Sequence, residues 1–121
     1  MISLRAGQRD WFMYVVVTAT GTLYCGVSTD VHARVATHNR GKGAKYLQGV
    51  RLPCKLLVAW CFAGPDAHGN ALRCEYWFKH QTRSQKRRFI LMEVNLPEEF
   101  KIAFGGQEIP REEIRALLPA F

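Results

Sequence analysis

Five side chains of this 121-residue sequence have types and spacings suited to phosphate chemistry. Tyr14 and Tyr24 stand with nine residues between them, Arg34 and His38 lie one helical turn apart, and Glu75 is the only carboxylate before Met92 that falls inside an expected helix. Hydrolysis of a phosphodiester needs a deprotonated water, positive charge for the pentavalent phosphorus, and help for the departing 3′ oxygen. Arg34 offers a planar fork for phosphate oxygens. Glu75 can hold a divalent cation that keeps water and substrate oxygens in its shell, as magnesium prefers. Tyr14, Tyr24 or His38 can manage the proton. A phenol with a reference pKa of about 10 is a poor base, and neighbouring Arg, Lys and a cation are expected to lower that value. The plainer readings are a Glu75–Lys79 salt bridge, tyrosines that only pack, a His38 that meets the helix macrodipole and an Arg34 paired with Asp30. On residue chemistry alone, a non-catalytic nucleic-acid-binding domain is the simpler choice.

The charge pattern narrows the partner. The formal net charge is +7, divided into +10 through Leu91 and −3 from Met92 onward. A polycationic body attracts polyanions, nucleic acid first among them, although basic proteins also bind anionic membranes or use the charge for solubility. Cys25, Cys54, Cys61 and Cys74 have no metal-ligand spacing and no oxidising compartment to support a disulfide frame, so reduced apolar side chains are expected. The uncharged run from Trp11 is interrupted by Thr-Ala-Thr-Gly-Thr and is too short in its apolar half for a membrane helix. It also lacks a clean signal-peptide cleavage site. A cytoplasmic protein with no membrane partner is the expectation.

The elements that must position these residues follow from pattern. "WFMYVVVT" and "TLYCGVS" are β-branched and aromatic around an "ATG" turn, which predicts a hairpin carrying both tyrosines to a common surface. Ser28, Thr29 or Asp30 can cap a helix through "VHARVATHN", with Val31 and Val35 toward the core and Arg34 and His38 on a neighbouring face. The loop "NRGKGAKYLQG" can present backbone N–H groups with Lys42 and Lys45 to phosphate, or be an ordinary surface turn. "KLLVAWCF" reads as a buried third strand, and a helix is expected from Ala71 to Thr82 with Asn70 as its cap. A second helix is expected from Ser84 through Val94, then an apolar stretch at Ile102 to Phe104, a "GGQ" turn, and a helix between Pro110 and Pro119. The fold class is α+β, a three-stranded antiparallel sheet flanked by helices in the order β-β-α-β-α-α. Residues 1–10 form a lead-in, 11–91 the main domain and 92–121 an extension of unassigned role.

The ordered set Tyr14, Tyr24-Cys25-Gly26, Arg34, His38 and Glu75 resembles the GIY-YIG nuclease superfamily, in particular its small stand-alone bacterial branch, over Trp11 to about Ile90. Phe12-Met13-Tyr14 stands where the family name has Gly-Ile-Tyr, and Tyr24-Cys25-Gly26 where it has Tyr-Ile-Gly. Arg87 stands near the place where larger members often carry an Asn. The resemblance implies one divalent metal, Mg2+ or Mn2+, held by Glu75, with Arg34 gripping the scissile phosphate. It implies Tyr14 helping to activate water, Tyr24 bonding the phosphate or exchanging roles with Tyr14, and His38 orienting or deprotonating a tyrosine. Gly26 would keep backbone clear of the phosphate. Substrate contacts are expected at Gly26, Lys42, Lys45, Tyr46 and Lys79. No attached DNA-binding domain is expected, so specificity would come from the catalytic surface, with bases unstacking onto Tyr46 or Trp77. The expected activity is metal-dependent endonucleolytic hydrolysis of single-stranded, flapped or branched DNA, with a repair or recombination setting; RNA is not separated from DNA by any residue here. The alternatives are a non-catalytic nucleic-acid-binding module of the same fold and a subunit that recruits a partner through its acidic tail.

Overall fold

The computed structural model describes residues 10–100 and 104–118. Strand β1, Trp11–Val17, turns through Thr18 to Thr22 into β2, Leu23–Ser28, as the hairpin pattern predicts. Gly21 supplies the left-handed backbone of that turn at φ 87°, and the Thr18 hydroxyl accepts the Thr22 N–H at 3.1 Å, tying its two ends. Strand β3, Lys55–Phe62, pairs antiparallel with the other edge of β1. A register shift between Val15 and Val16 leaves Leu57 as an extra residue on β3.

A fourth strand closes the far side. β4, Phe104–Gln107, pairs antiparallel with β3, so the sheet order is β2-β1-β3-β4 and the three-stranded expectation is corrected to four. The "GGQ" segment read as a turn because two glycines weaken any strand propensity. The pairing explains them: Gly105 lies opposite Trp60, and a Cβ at that position would overlap the indole. The strand and Pro110-capped α4, Arg111–Leu117, come from the segment expected to be an appendix, and Ile114 and Leu118 are buried in the main core. Ile102 and Pro119 lie outside the described residues.

Both faces of the sheet are covered. α1, Val31–Asn39, lies on the face of Phe12, Tyr14 and Val16, where Val31 is buried and Val35 packs alongside. Its N-terminus is capped by Asp30, whose carboxylate accepts the Ala33 N–H at 3.2 Å. The opposite face, with Met13, Val15, Val17 and Cys25, is covered by α2, Ala67–Lys79, and α3, Arg83–Ile90. α2 begins at Ala67 rather than Ala71, with Asp66 and not Asn70 at its cap position. Burial of Ala67 and Ala71 against the sheet outweighs the poor helix propensity of the intervening Gly69 and Asn70. It stops at Lys79 because Thr82 caps α3: its hydroxyl accepts the Gln85 N–H at 3.1 Å while the Gln85 side chain accepts the Thr82 N–H at 3.0 Å. α3 ends at Ile90, short of the expected Val94, and Met92 beyond it has a positive φ of 56°. All four cysteines are buried and free, as expected.

If Gly105 is present to admit Trp60, Gly105→Ala lowers unfolding stability by about 1–3 kcal/mol, read from the urea midpoint. An unchanged midpoint would contradict that pairing.

Candidate active site

Tyr14 sits on the central strand β1 directly opposite Gly26 of β2. A Cβ on Gly26 would lie 2.7 Å from the Tyr14 hydroxyl, so the glycine makes room for the phenol. The hydroxyl meets His38 Nε2 at 2.8 Å, with both residues fully buried. The Ala44 N–H donates to His38 Nδ1 at 3.2 Å, which leaves the ring proton of the neutral imidazole on Nε2. His38 therefore donates to Tyr14. In that tautomer it has no lone pair on Nε2 to take the phenol proton, and of the two expected roles only orientation fits. A Cβ on Gly43 would overlap the same ring, so the loop after α1 crosses over His38 only with glycine there.

Tyr24 lies on the same sheet face, opposite Val16 and so diagonal to Tyr14, with its ring edge-on to His38 at 5.5 Å and near-parallel to Tyr46 at 6.2 Å. Arg34 is exposed one turn before His38 on α1. Its charge acts on both phenols. Burial nevertheless pushes both tyrosines above the ordinary value of 10.0, against the pull of Arg34. The expectation that basic neighbours would lower them is thus corrected for the protein alone: desolvation of a phenolate outweighs one guanidinium. Burial, then Arg34, holds His38 below its ordinary 6.5.

Glu75 reaches this group from the other face. β2 is an edge strand, with Tyr24 toward α1 and Cys25 toward α2, and the Glu75 carboxylate acts electrostatically on both side chains. The site therefore wraps around the free edge of β2. Glu75 is partly buried and makes a long 3.8 Å bridge to Lys79 one turn on. Among the described residues, no group of three or more His, Cys, Asp or Glu side chains could cage a metal. One partly buried carboxylate near Tyr24 is compatible in its chemistry with a hard cation that keeps water and substrate oxygens in its shell, with Glu75 as the protein ligand.

The expected substrate contacts divide. Tyr46 joins the site, but its hydroxyl donates to Thr22 at 2.9 Å and Arg51 lies 4.2 Å over its ring. Lys42 and Lys45 are exposed on the loop. Within that loop the N–H groups of Gly41, Lys42, Ala44 and Leu47 are already bonded, to Thr37, His38 or Ala44. Trp77 does not offer its face to the site either; it packs on the core between Phe89 at 4.8 Å and Phe100 at 5.3 Å, because the residues after α3 fold back over it. Lys79 borders a cleft of about 220 Å³ with Leu23, Tyr24, Cys25, Tyr46, Phe78 and Lys86. Lys86, Gly43 and the cleft were not singled out by sequence reasoning. Lys86 follows Lys79 by seven residues, a helical signal that the Thr82 break conceals. Arg87 is partly buried, with Nη1 left without a hydrogen-bond partner.

The lowered His38 pKa carries a stability consequence. Below pH 6.5 the unfolded chain takes up a proton that the folded imidazole resists, so stability falls with acidification until the pH passes the folded pKa. Replacing His38 by Asn should remove that part of the acid dependence in denaturation midpoints measured from pH 7.5 to 4.5. An identical slope in both proteins would contradict the buried neutral imidazole.

Comparison with known proteins places the chain in a family. The family model described as the GIY-YIG catalytic domain matches residues 10–88. A UPF0213 protein of Lactococcus lactis subsp. cremoris is 51% identical over 80 residues, covering 65% of this chain and 78% of the relative. One from Nitratidesulfovibrio vulgaris is 45% identical over 82 residues, covering 66% and 71%. The solution NMR structure of a UPF0213 protein from Bacillus halodurans shares 34% identity over 76% of this chain and 93% of that one, with a TM-score of 0.44. With the family model spanning well over half of the sequence and relatives of this identity along most of their own length, the chain belongs to the GIY-YIG family, whose domain points to nuclease activity and nucleic-acid binding.

Proposed function

We propose that this protein is a metal-dependent endonuclease that hydrolyses DNA phosphodiester bonds, preferring single-stranded, flapped or branched DNA to intact duplex. What supports the reading is that Tyr14 and Tyr24 meet around the His38 ring on one sheet face, with Arg34 one turn before His38 on α1 and Glu75 near enough to Tyr24 to act on it electrostatically. The positive charge of the chain before Met92 supplies attraction for the strand.

Arg34 grips two oxygens of the scissile phosphate and offsets charge that grows in the transition state. Tyr14, buried and held by His38, fixes the Arg34 fork from below. Tyr24 is the half-buried tyrosine, and it is the one assigned to the attacking water: its phenolate form, the minority species at neutral pH, accepts a hydrogen bond from the water and takes its proton to become the phenol. The roles of the two tyrosines are therefore exchanged relative to the family-based expectation. GIY-YIG nucleases generally use a divalent metal; held here by Glu75, it would supply positive charge at the departing 3′ oxygen. No helix of the described residues is long and apolar enough to cross a membrane. A compact edge site with no groove-reading element around it among the described residues suits a strand that bends freely.

Labelled single-stranded and flap oligonucleotides, incubated with Mg2+ or Mn2+, should be cut by the wild type. Linear duplex should be cut far more slowly, and chelation should stop the reaction. Glu75→Ala and Arg34→Ala each lose about 10²–10³-fold in rate. Glu75→Ala still binds the strand with little change. Equal nicking in all the proteins would place the activity elsewhere, and equal rates on duplex and single strands would remove the preference. A second test separates the phenols. If Tyr24 takes the water proton, the wild-type rate rises with pH toward the raised Tyr24 pKa, Tyr24→Phe flattens that rise, and Tyr14→Phe keeps it at a lower rate. A rise kept in Tyr24→Phe and lost in Tyr14→Phe would give the role to Tyr14.

A further inference from the structure

The cleft at the edge of β2 has a composition that the hydrolytic machinery does not use. Its floor and sides are Leu23, Cys25 and Phe78, one wall is the near-parallel pair Tyr24 and Tyr46, and Lys79 and Lys86 bring two ammonium groups to it. Hydrolysis of a phosphodiester asks for none of the apolar surface. Burial pushes the Cys25 thiol up to about 11, so it is a neutral side chain at physiological pH rather than a nucleophile. The volume of about 220 Å³ has room for one nucleobase with its sugar and too little for a base pair with both of its sugars. Tyr24 belongs both to this cleft and to the phenol cluster, so anything bound in the cleft lies immediately beside the scissile phosphate.

Resting on the nuclease reading above, we propose that this cleft receives a single unstacked nucleobase, flanking the bond that is cut, and that Lys79 and Lys86 hold the phosphates on either side of it. Charge complementarity argues for this occupant. Two lysines at an aromatic-walled apolar slot match an anionic backbone that carries a planar ring, whereas an apolar peptide or a lipid tail would offer no countercharge to Lys86 and leave Lys79 with only its long 3.8 Å bridge to Glu75. The same feature accounts for strand preference. In a duplex the base must be unpaired and unstacked before it enters, whereas a single strand or flap needs little of that disruption. Recognition through ring faces and apolar contact tolerates all four bases, so the site selects strandedness more than sequence.

The test uses the wild-type protein and one single-stranded oligonucleotide with a mapped cut, into which a tetrahydrofuran abasic residue is placed at each position in turn. Cleavage should fall about tenfold when the missing base is the one next to the scissile phosphate and change little elsewhere. Leu23→Trp, which fills the slot, should slow cutting of the intact strand by a similar factor and abolish the sensitivity to the abasic position, while its thermal melt shows whether it folds. An abasic scan with no position-specific effect, or a folded Leu23→Trp that keeps the wild-type profile, would overturn the proposal. If no oligonucleotide is cut at all, the nuclease reading fails and the cleft is read by binding instead. Fluorescence anisotropy without metal should then show the intact strand bound at least about fivefold more tightly than a fully abasic strand of equal length. Equal affinities would overturn the base-binding cleft independently of catalysis.

Discussion

A single buried hydrogen bond organises the site. Tyr14 is on the central strand and His38 is on α1, so the 2.8 Å contact between them ties the sheet to the helix that carries Arg34. Burying a phenol and an imidazole without partners would be costly, and here each polar atom of the imidazole is matched: Nε2 to Tyr14 and Nδ1 to the Ala44 N–H. Two glycines make the arrangement sterically admissible. Gly26 leaves space under the Tyr14 hydroxyl and Gly43 lets the loop close over His38. Any side chain at either position would force the helix, the loop or the phenol to move, and Arg34 would move with them.

The free edge of β2 explains why the remaining parts come from the other side of the sheet. In an interior strand, residues on opposite faces are separated by neighbouring strands and cannot serve one ligand. At an edge, the face of Tyr24 and the face of Cys25 meet around the exposed backbone, so Glu75 and Lys79 from α2 and Lys86 from α3 can approach Tyr24. The opposite edge is the short β4, which covers the outer side of β3, and the residues gathered here lie at the β2 edge. Such an edge would invite pairing with another chain. The cations around it work against that for peptide and favour a polyanion.

How much of this was legible in the sequence depends on the range of the interaction. β1, β2, α1 and β3 follow from local alternation, turn residues and caps, and the structure places them where those patterns put them. β4 was hidden because its glycines are explained only by Trp60, more than forty residues earlier in the chain and across the sheet. The start of α2 was misplaced because Gly69 and Asn70 look like a loop until the burial of Ala67 is known. The Thr82–Gln85 capping box, by contrast, is a local signal that could have been read and would have separated α2 from α3. In the site, the residue types were visible but their burial was not. Two tyrosines beside basic residues suggested lowered pKa values, whereas depth in the sheet pushes both up. The loop holding Gly43 reads in the sequence as a phosphate-facing segment or an ordinary surface turn, and the constraint on that glycine appears only with the His38 ring against it.

The central claim is that Arg34, Tyr24 and Glu75 address one phosphate at the edge of β2. A crystal structure of the Glu75→Gln protein with a short single-stranded oligonucleotide tests it most directly. The account predicts a backbone phosphate within hydrogen-bonding distance of the Arg34 guanidinium and the Tyr24 hydroxyl, with residue 75 facing its 3′ side. A strand bound along another surface, with Arg34 and Tyr24 contacting only solvent, would contradict it.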